Sequence, residues 1–563
     1  MKALKIPASM MVAALLFVVA AHAQTYTLLH TWPINPGNTS GIVPPGLMSQ
    51  GRDGELYSTI SNGGLFNGGS GTAFKITTAG TLTTIYNFCA LAQCPDGSVP
   101  RGGLTLGTDG NLYGSTQNGG KIGGGTVFRL TPAGVLTTMW SFGTLPGDAD
   151  GGAPNYAPFQ GQDGNFYGSS NEIYAGDGGL IYKVTSAGKF TVLGDFNFTN
   201  GWVPNLPTQG TDGNFYGTTQ IGQIKGTSCG LHGCGVVYKM SPGGALSVLH
   251  NFSGYVSATV YDGSIPYGAL VQGNDGYFYG VTNTGGQFNQ GTIFKISASG
   301  KSYIILHSFE NDFTIAAGDN PFIGLTMGSD GNFYGTAKAG KYGAGVIYQI
   351  TPAGVYTPLY NFCAVSHCPD GFNPATMMTQ HTNGKFYGNT VGNSLGGSYF
   401  YELDTGLGPF VSPLTQSGKA GATVEILGTG LTGASSVQFG TGFAAFTVVS
   451  DTYMTAVIPS SGTVGNITVS TPSGTLSSVR PFKVLPVVKS FTPTSGLPGS
   501  SVTITGTNLL GATKVTFGGA AAAFIVNSDT QITATVPATG KTGKIAVTTP
   551  GGVATSAASF TVT

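Results

Sequence analysis

Five aspartates, Asp96, Asp150, Asp262, Asp319 and Asp370, each stand shortly before a proline, in a chain that offers few other groups for chemistry. Glu occurs only at 55, 172, 310, 402 and 425. Six further Asp open a repeated Asp-Gly or Asp-Gly-like turn, and Asp451 and Asp529 sit in two SDT turns, which leaves Asp148, Asp177, Asp195, Asp312 and Asp404. A glycosidase needs two carboxylates facing one cleft, so the recurrent five are the acidic set to follow. GDADGGAPN (147–155) spaces Asp148 and Asp150 as calcium loops do, without the terminal Glu, and offers those two as ligands for a calcium ion. GTSCG (226–230) and GNSLG (392–396) fit G-x-S-x-G but lie on no strand-to-helix turn, and no P-loop or HExxH is present. His30, His250 and His307 share one repeat position with Tyr86, Trp140 and Tyr360, which marks them as packing residues. Cys89/Cys94, Cys229/Cys234 and Cys363/Cys368 have identical spacing. Close pairs in an exported chain read as local disulfides. His232 and His367 lie inside two of the pairs, but a zinc site wants two pairs converging, and these three fall in different repeats.

The elements that position these residues are repeats. DGNLYGSTQNGG at 109–120 returns from Asp53, Asp163, Asp212, Asp275, Asp330 and Asn383, with Tyr always four residues on. Each unit continues with a block such as GTVFRLTPAG (125–134) and a segment ending in Phe, as at Phe88, Phe142 and Phe196. A period near 55 residues marks a repeat architecture. In the second copy GGLTLGT, NLYGSTQ, TVFRLT and VLTTMWSF read as four short strands. Asp109-Gly110 is expected to supply both positive φ values of a type I′ hairpin turn. Seven four-stranded antiparallel sheets set radially make a seven-bladed β-propeller. The seventh copy lacks its fourth strand, and YTLLHTW (26–32) aligns with YIILHSF (303–309), so the N-terminal strand is expected to close the last blade. The tight turns then share one face. The long loops, the cysteines and the five pre-strand Asp share the other, where each Asp either starts a turn or, reaching the channel mouth, joins an acidic rim able to bind a cation or polyol.

The repeat resembles the Gloeobacter/Verrucomicrobia-type tandem repeat of exported bacterial proteins with variable C-terminal anchoring regions. The resemblance rests on D-G-N-x-Y-G-[ST]-T, G-T-[VI]-[FY]-[KR]-[ILV]-T and T-x-L-x-x-F over about 24–407, and it implies no settled activity. A weaker likeness is to streptogramin-lyase-type propellers, whose DGNLWFTE-like blocks differ here by Tyr-Gly for Trp-Phe and by the missing acidic residue. After Gly406, SGKAGATVEILGTGLTGASSVQFG (417–440) aligns without a gap to SGLPGSSVTITGTNLLGATKVTFG (495–518). Both copies, 408–485 and 486–563, are similar to IPT/TIG-type immunoglobulin-like β-sandwiches. The resemblance implies spacers or binding modules.

Compartment and surface follow from the rest. Lys2 and Lys5, the apolar run MMVAALLFVVAA and Ala21-His22-Ala23 have the order of a cleavable signal peptide over 1–23. The mature protein is therefore expected to be secreted or at the cell surface, with no transmembrane segment. Charged residues are only 8% and net charge is zero, which excludes the electrostatic footprint of a nucleic-acid binder. The expectation is a non-catalytic exported protein whose long-loop face binds a polysaccharide or a surface protein. Trp202 and Tyr267 would be contact aromatics, the sandwiches spacers, and calcium the one candidate cofactor. The alternative is a carbohydrate-active or lyase-type enzyme using that face.

Overall fold

The computed structural model describes residues 24–563 apart from 33–45, 67–68, 172–177, 198, 223–228, 230–232, 258, 311–317, 322, 375 and 393–397. The signal-peptide segment, most of GTSCG and most of GNSLG lie outside the described residues. Strands dominate, and the only helical element among the described residues is one 3-10 turn, Pro146–Asp148.

Blade 1 runs through Ser49–Gln50, Leu56–Ile60, Thr72–Ile76 and Leu82–Asn87 as one antiparallel sheet. Five more sheets repeat this order, and blade 4 adds Trp202–Pro204 beside its second strand. Blade 7 contains Thr379–Gln380, Phe386–Asn389 and Ser398–Asp404, and its outer strand is Thr25–Trp32, paired antiparallel with Ser398–Asp404. Second and third strands are buried on both faces almost throughout, whereas the outer strand Leu82–Asn87 is only partly buried. That gradient is what radial packing of sheets produces, because each sheet covers its neighbour's faces.

Two features of the repeat explain the blade contacts. The Tyr of five units lies against the aromatic ring of the next blade's unit, among them Tyr113 on Phe166 at 3.6 Å between centroids, Tyr216 on Phe278 at 3.9 Å and Tyr279 on Phe333 at 3.9 Å, while Tyr57 and Tyr387 meet Leu112 and Leu56. The Gly after that Tyr is needed because the third strand's ring crosses it. A Cβ on Gly217 would lie 2.3 Å from the Tyr238 hydroxyl, and one on Gly114 2.4 Å from Phe128. Ser58, the exception, instead donates its hydroxyl to the Leu47 carbonyl at 3.0 Å.

The hairpin turns differ from the type I′ expectation. Gly110 N–H donates to Gly107 O at 2.9 Å and Gly107 N–H to Asn111 O at 2.8 Å. Only Gly110 has a positive φ, +80°, and Asp109 does not. This is the three-residue loop with a glycine bulge. The reason is the Asp side chain: Asp109 Oδ1 accepts from Asn111 N–H at 3.1 Å while Oδ2 accepts from the Tyr113 hydroxyl at 2.7 Å. The Asp and the Tyr four residues on are therefore one hydrogen-bonded unit, repeated at Asp53/Tyr57, Asp163/Tyr167, Asp212/Tyr216, Asp275/Tyr279 and Asp330/Tyr334.

Glutamines close the ring around the channel. Gln160 Oε1 accepts from Thr108 N–H (2.8 Å), Gln209 from Gln162 (2.8 Å), Gln272 from Thr211 (2.9 Å), Gln380 from Ser329 (2.8 Å) and Gln50 from Thr382 (3.0 Å). Each Gln at the end of an inner strand holds the turn of the preceding blade, and Gln50 joins blade 1 to blade 7.

The C-terminal part forms two β-sandwiches with separate apolar cores, one around Ile426, Phe439, Val469 and Phe482, the other around Ile504, Phe517, Val547 and Phe560. The first sandwich sits on the tight-turn face of the propeller. Arg52 pairs with Glu425 at 2.6 Å and lies over the Tyr453 ring at 4.8 Å, and Thr452 Oγ1 donates to Arg52 O at 2.8 Å. Lys483 Nζ donates to Thr211 O at 2.8 Å and Asn274 Nδ2 to Val479 O at 3.2 Å. The linker 410–416 crosses the channel mouth on that side.

Candidate functional site: the long-loop face

With one face covered, the long loops carry the exposed end of the propeller. All three cysteine pairs are disulfides within these loops, Cys89–Cys94, Cys229–Cys234 and Cys363–Cys368.

Four of the five pre-strand aspartates anchor their own loops. Asp96 Oδ2 accepts from the Tyr86 hydroxyl at 2.9 Å and Cys89 N–H at 3.0 Å. Asp370 accepts from Tyr360 at 2.8 Å and Cys363 N–H at 3.0 Å. Asp150, fully buried, accepts from Trp140 Nε1 at 3.0 Å, Thr144 N–H at 3.1 Å and Leu145 N–H at 3.3 Å. Asp262 accepts from His250 Nε2 at 2.9 Å, Ser253 N–H at 3.1 Å and the Tyr303 hydroxyl at 2.7 Å. In each case the carboxylate ties the outer-strand aromatic or His to the backbone just past the repeat's Phe. Burial pushes the Asp262 carboxyl up, but the His250 hydrogen bond and charge, with Tyr303 and Ser253, outweigh it and hold the group below its ordinary value. Asp319 differs: its Oδ1 accepts from Ala339 N–H at 3.1 Å on the facing loop. Its outer-strand counterpart His307 keeps Nε2 buried without a partner, stacks on Tyr356 at 4.1 Å, and is held down to about 4 by burial.

Among the described residues no three His, Cys, Asp or Glu side chains come together as a metal-holding group. Asp148 lies in the 3-10 turn and Asp150 points into the Trp140 and Thr144 network described above.

A second set of residues makes the loops rigid. The residue before the proline has a left-handed backbone in every described blade: Val99 (φ +57°), Ala153 (+45°), Val203 (+57°), Ile265 (+53°), Asn320 (+47°) and Asn373 (+55°). For β-branched Val and Ile this is a sterically costly conformation, of order 1–3 kcal/mol each. Each is over-determined by a cross-blade hydrogen bond from its N–H, for example Val99 to Ser70 O (2.8 Å), Val203 to Gly178 O (2.8 Å) and Ile265 to Cys234 O (3.0 Å). The proline that follows lies on a glycine of the preceding blade: a Cβ on Gly345 would be 2.3 Å from Pro374 Cδ, and one on Gly71 2.4 Å from Pro100 Cδ. Sequence reading noted the Pro but not this staple. Its signal was present as G-x-x-P before each inner strand.

Trp202 and Tyr267 lie on adjacent blades 4 and 5 but at different repeat positions, Trp202 two residues before Pro204 and opposite Ile221, Tyr267 directly after Pro266 and opposite Val281, both half-buried. Between them the Tyr156 hydroxyl donates to Asn205 Oδ1 at 3.0 Å, and Asn205 Nδ2 donates to Pro266 O at 2.9 Å. Burial, and then the nearby Tyr267, raise the Tyr156 pKa above its usual value. Asn205 is fully buried, so this network fixes three adjacent blades at the long-loop ends of their inner strands.

Exposed apolar groups also stand on this face. Ile122 (58% exposed), Phe288 (45%) and Tyr342 (47%) occupy one repeat position, two residues past a Gly, at the tips of the second-to-third loops, where blade 1 places Phe66. Leu65, Leu91, Tyr261 and Val365 are further exposed side chains on the same loops. They went unremarked in the sequence, although the alignment of Phe66, Ile122, Phe288 and Tyr342 was visible there.

A family model described as the Gloeobacter/Verrucomicrobia repeat matches residues 9–229, 141–312 and 224–442, and the IPT/TIG domain model matches 409–484 and 486–562. No curated protein matches the chain. Among solved structures the chain is similar to a surface glycan-binding protein from Prevotella bryantii (20% identity, 27% of this chain, 41% of that one, TM-score 0.21). It is also similar to a surface glycan-binding protein of a xyloglucan utilization locus in Bacteroides uniformis (19%, 27%, 48%, TM-score 0.14). A third is a copper-bound fungal alcohol oxidase of the AA5 family (11%, 82%, 100%, TM-score 0.42). The chain spans less than half the length of the two glycan-binding proteins.

Proposed function

We propose that this chain, which belongs to the Gloeobacter/Verrucomicrobia repeat family and carries two IPT/TIG domains, is an exported binding protein whose long-loop face recognises an extracellular polysaccharide without cleaving it. The observation that carries the reading is the asymmetry of the two faces. The tight-turn face is occupied by the first sandwich through Arg52–Glu425 and Lys483–Thr211. The long-loop face presents Ile122, Phe288 and Tyr342 from the second-to-third loops of blades 2, 5 and 6. Exposed apolar groups collected on one face mark interaction surfaces, and flat rings beside polar backbone suit the C–H faces and hydroxyls of a neutral sugar chain. A chain of zero net charge has no attraction for polyanions. Trp202 and Tyr267 would take part nearer the channel, with the aspartates holding the fourth-to-first loops beside them. The second sandwich serves as a spacer, and the N-terminal segment 1–23 as the export signal.

The test is retention of residues 24–563 on a panel of insoluble and immobilised neutral polysaccharides, with and without calcium, with the bound material assayed for reducing ends. Retention without new reducing ends supports the reading. New reducing ends on any glycan would replace it with a carbohydrate-active enzyme.

A further inference from the structure

The channel has a chemistry unlike that of the loop face. Under the linker 410–416, a cavity of about 460 Å³ lies against the inner strands of blades 5, 6, 7 and 1. Its wall is largely apolar, with Met48, Met327, Met377 and Met378 beside Phe410 and Leu414. Four of the chain's ten methionines are gathered here. Met48 and Met378 are held in the blade-to-blade cores behind the wall, whereas Met327 and Met377 are half-buried, and their flexible, polarizable side chains can adapt to an apolar ligand. The volume falls in the range of small-molecule sites.

One charged group stands among the residues that line this cavity. Arg480, on the first sandwich, lines both this cavity and the adjoining one between the two domains. Its side chain makes no hydrogen bond or ion pair among the described residues, whereas Arg52 pairs with Glu425, and Lys483 donates to the Thr211 carbonyl. Desolvation pulls its pKa below the ordinary guanidinium value, with no carboxylate offsetting the effect. A guanidinium stays protonated in a protein, and this one is half-buried with its nitrogens still accessible, so an anionic ligand can reach it.

We propose that the channel cavity binds an organic carboxylate with an apolar body, its carboxylate on Arg480 and its chain against Met327, Met377 and Leu414. A carboxylate matches the planar fork of Arg in bidentate geometry. The apolar tail fills a space that the linker shields from solvent on the sandwich side. This site is separate from the long-loop face and does not depend on what that face recognises.

The test uses the purified chain and three probes with the same eight-carbon tail: octanoate, octanol and octyltrimethylammonium. Calorimetry is expected to show saturable 1:1 binding of octanoate, at least tenfold weaker binding of octanol, and none of the cation. Affinity should rise about two- to fourfold per methylene from hexanoate to decanoate. Arg480→Gln should weaken octanoate at least tenfold while leaving octanol unchanged. Carbon-13 labelling of methionine methyls supplies a readout that does not depend on the variant folding. Octanoate should shift the signals of Met327 and Met377 and leave that of Met454, in the first sandwich core, in place. Equal binding of octanoate and octyltrimethylammonium, no saturable binding, or shifts confined to methionines outside the cavity would overturn the proposal.

Discussion

Replacing Asp150 by Asn separates a loop anchor from a ligand. Asn is as good a turn residue as Asp, so if Asp150 merely began a turn or faced a ligand, the folded protein would barely notice the change. The structure gives a different result. Three N–H donors converge on the buried carboxylate, the Trp140 indole at 3.0 Å and the backbone of Thr144 at 3.1 Å and Leu145 at 3.3 Å, with the Thr144 hydroxyl beside them at 3.4 Å. An Asn in its better orientation keeps its oxygen toward Trp140 and Thr144, but turns an NH₂ against the Leu145 N–H and forfeits the charge on all three bonds. Bonds to charged acceptors contribute about 1.5–3 kcal/mol each, and an orphaned buried donor costs about 1–3 kcal/mol. Asp150→Asn should therefore destabilise the propeller by about 2 kcal/mol, and Asp150→Ala, which strands all three donors, by about 4–5 kcal/mol on the same basis. The three tryptophans, at 32, 140 and 202, all lie in the propeller, so indole fluorescence during guanidinium unfolding reports that part of the chain alone. Trp140→Phe combined with Asp150→Asn should show a coupling of about 1 kcal/mol, because each removes part of the same bond. An Asp150→Asn protein within about 0.5 kcal/mol of the parent, the range of ordinary surface substitutions, would refute the anchor assignment.

Tyr348→Phe should be neutral or stabilising by up to about 1 kcal/mol, because the Tyr348 hydroxyl is buried with no partner and Phe fills the same repeat position at Phe74, Phe128 and Phe294. Tyr113→Phe should instead cost about 1 kcal/mol through the lost bond to Asp109, and the same unfolding measurement compares the two. His307 makes stability depend on pH. Its folded pKa lies below the ordinary 6.5, at about 4, so the unfolded chain takes up the proton first. The contribution is present above pH 6.5 and is lost as pH falls to 4, up to about 3 kcal/mol. His307→Tyr, the residue at that position in Tyr86 and Tyr360, should abolish this part of the acid sensitivity when unfolding is followed from pH 7 to 4.

The regular spacing of Asp, Tyr, Gly and Phe made the repeats, the strands and the all-β class legible, and the equal spacing of the cysteines made their pairing legible. What escaped depends on contacts between blades. The type I′ expectation rested on the dipeptide Asp-Gly alone, whereas the turn is decided by Tyr113 four residues on, which captures the carboxylate. The Gly after Tyr113 has no local reason at all; it is required by Phe128 crossing from the next strand. The left-handed residue before each proline is stabilised by a carbonyl of the preceding blade, some thirty residues back, as Val99 is by Ser70. Sequence placed the five aspartates near one another by topology, but their orientation is set by outer-strand partners such as Trp140 and His250. The docking of a sandwich on the tight-turn face rests on single side chains, Arg52 and Lys483, that carry no repeat signal.

The most direct measurement is retention on the best-bound neutral polysaccharide for the parent and for the triple variant Ile122→Ser, Phe288→Ser, Tyr342→Ser, with Val135→Ser and Val355→Ser as a control pair. The three substituted side chains are exposed on the long-loop face, and the control valines are equally exposed in third-to-fourth turns of the opposite face. Retention should fall at least tenfold in the triple variant and stay unchanged in the control, with both proteins unfolding as the parent does. Undiminished retention in the triple variant, or loss in the control, would contradict the assignment of recognition to the long-loop face.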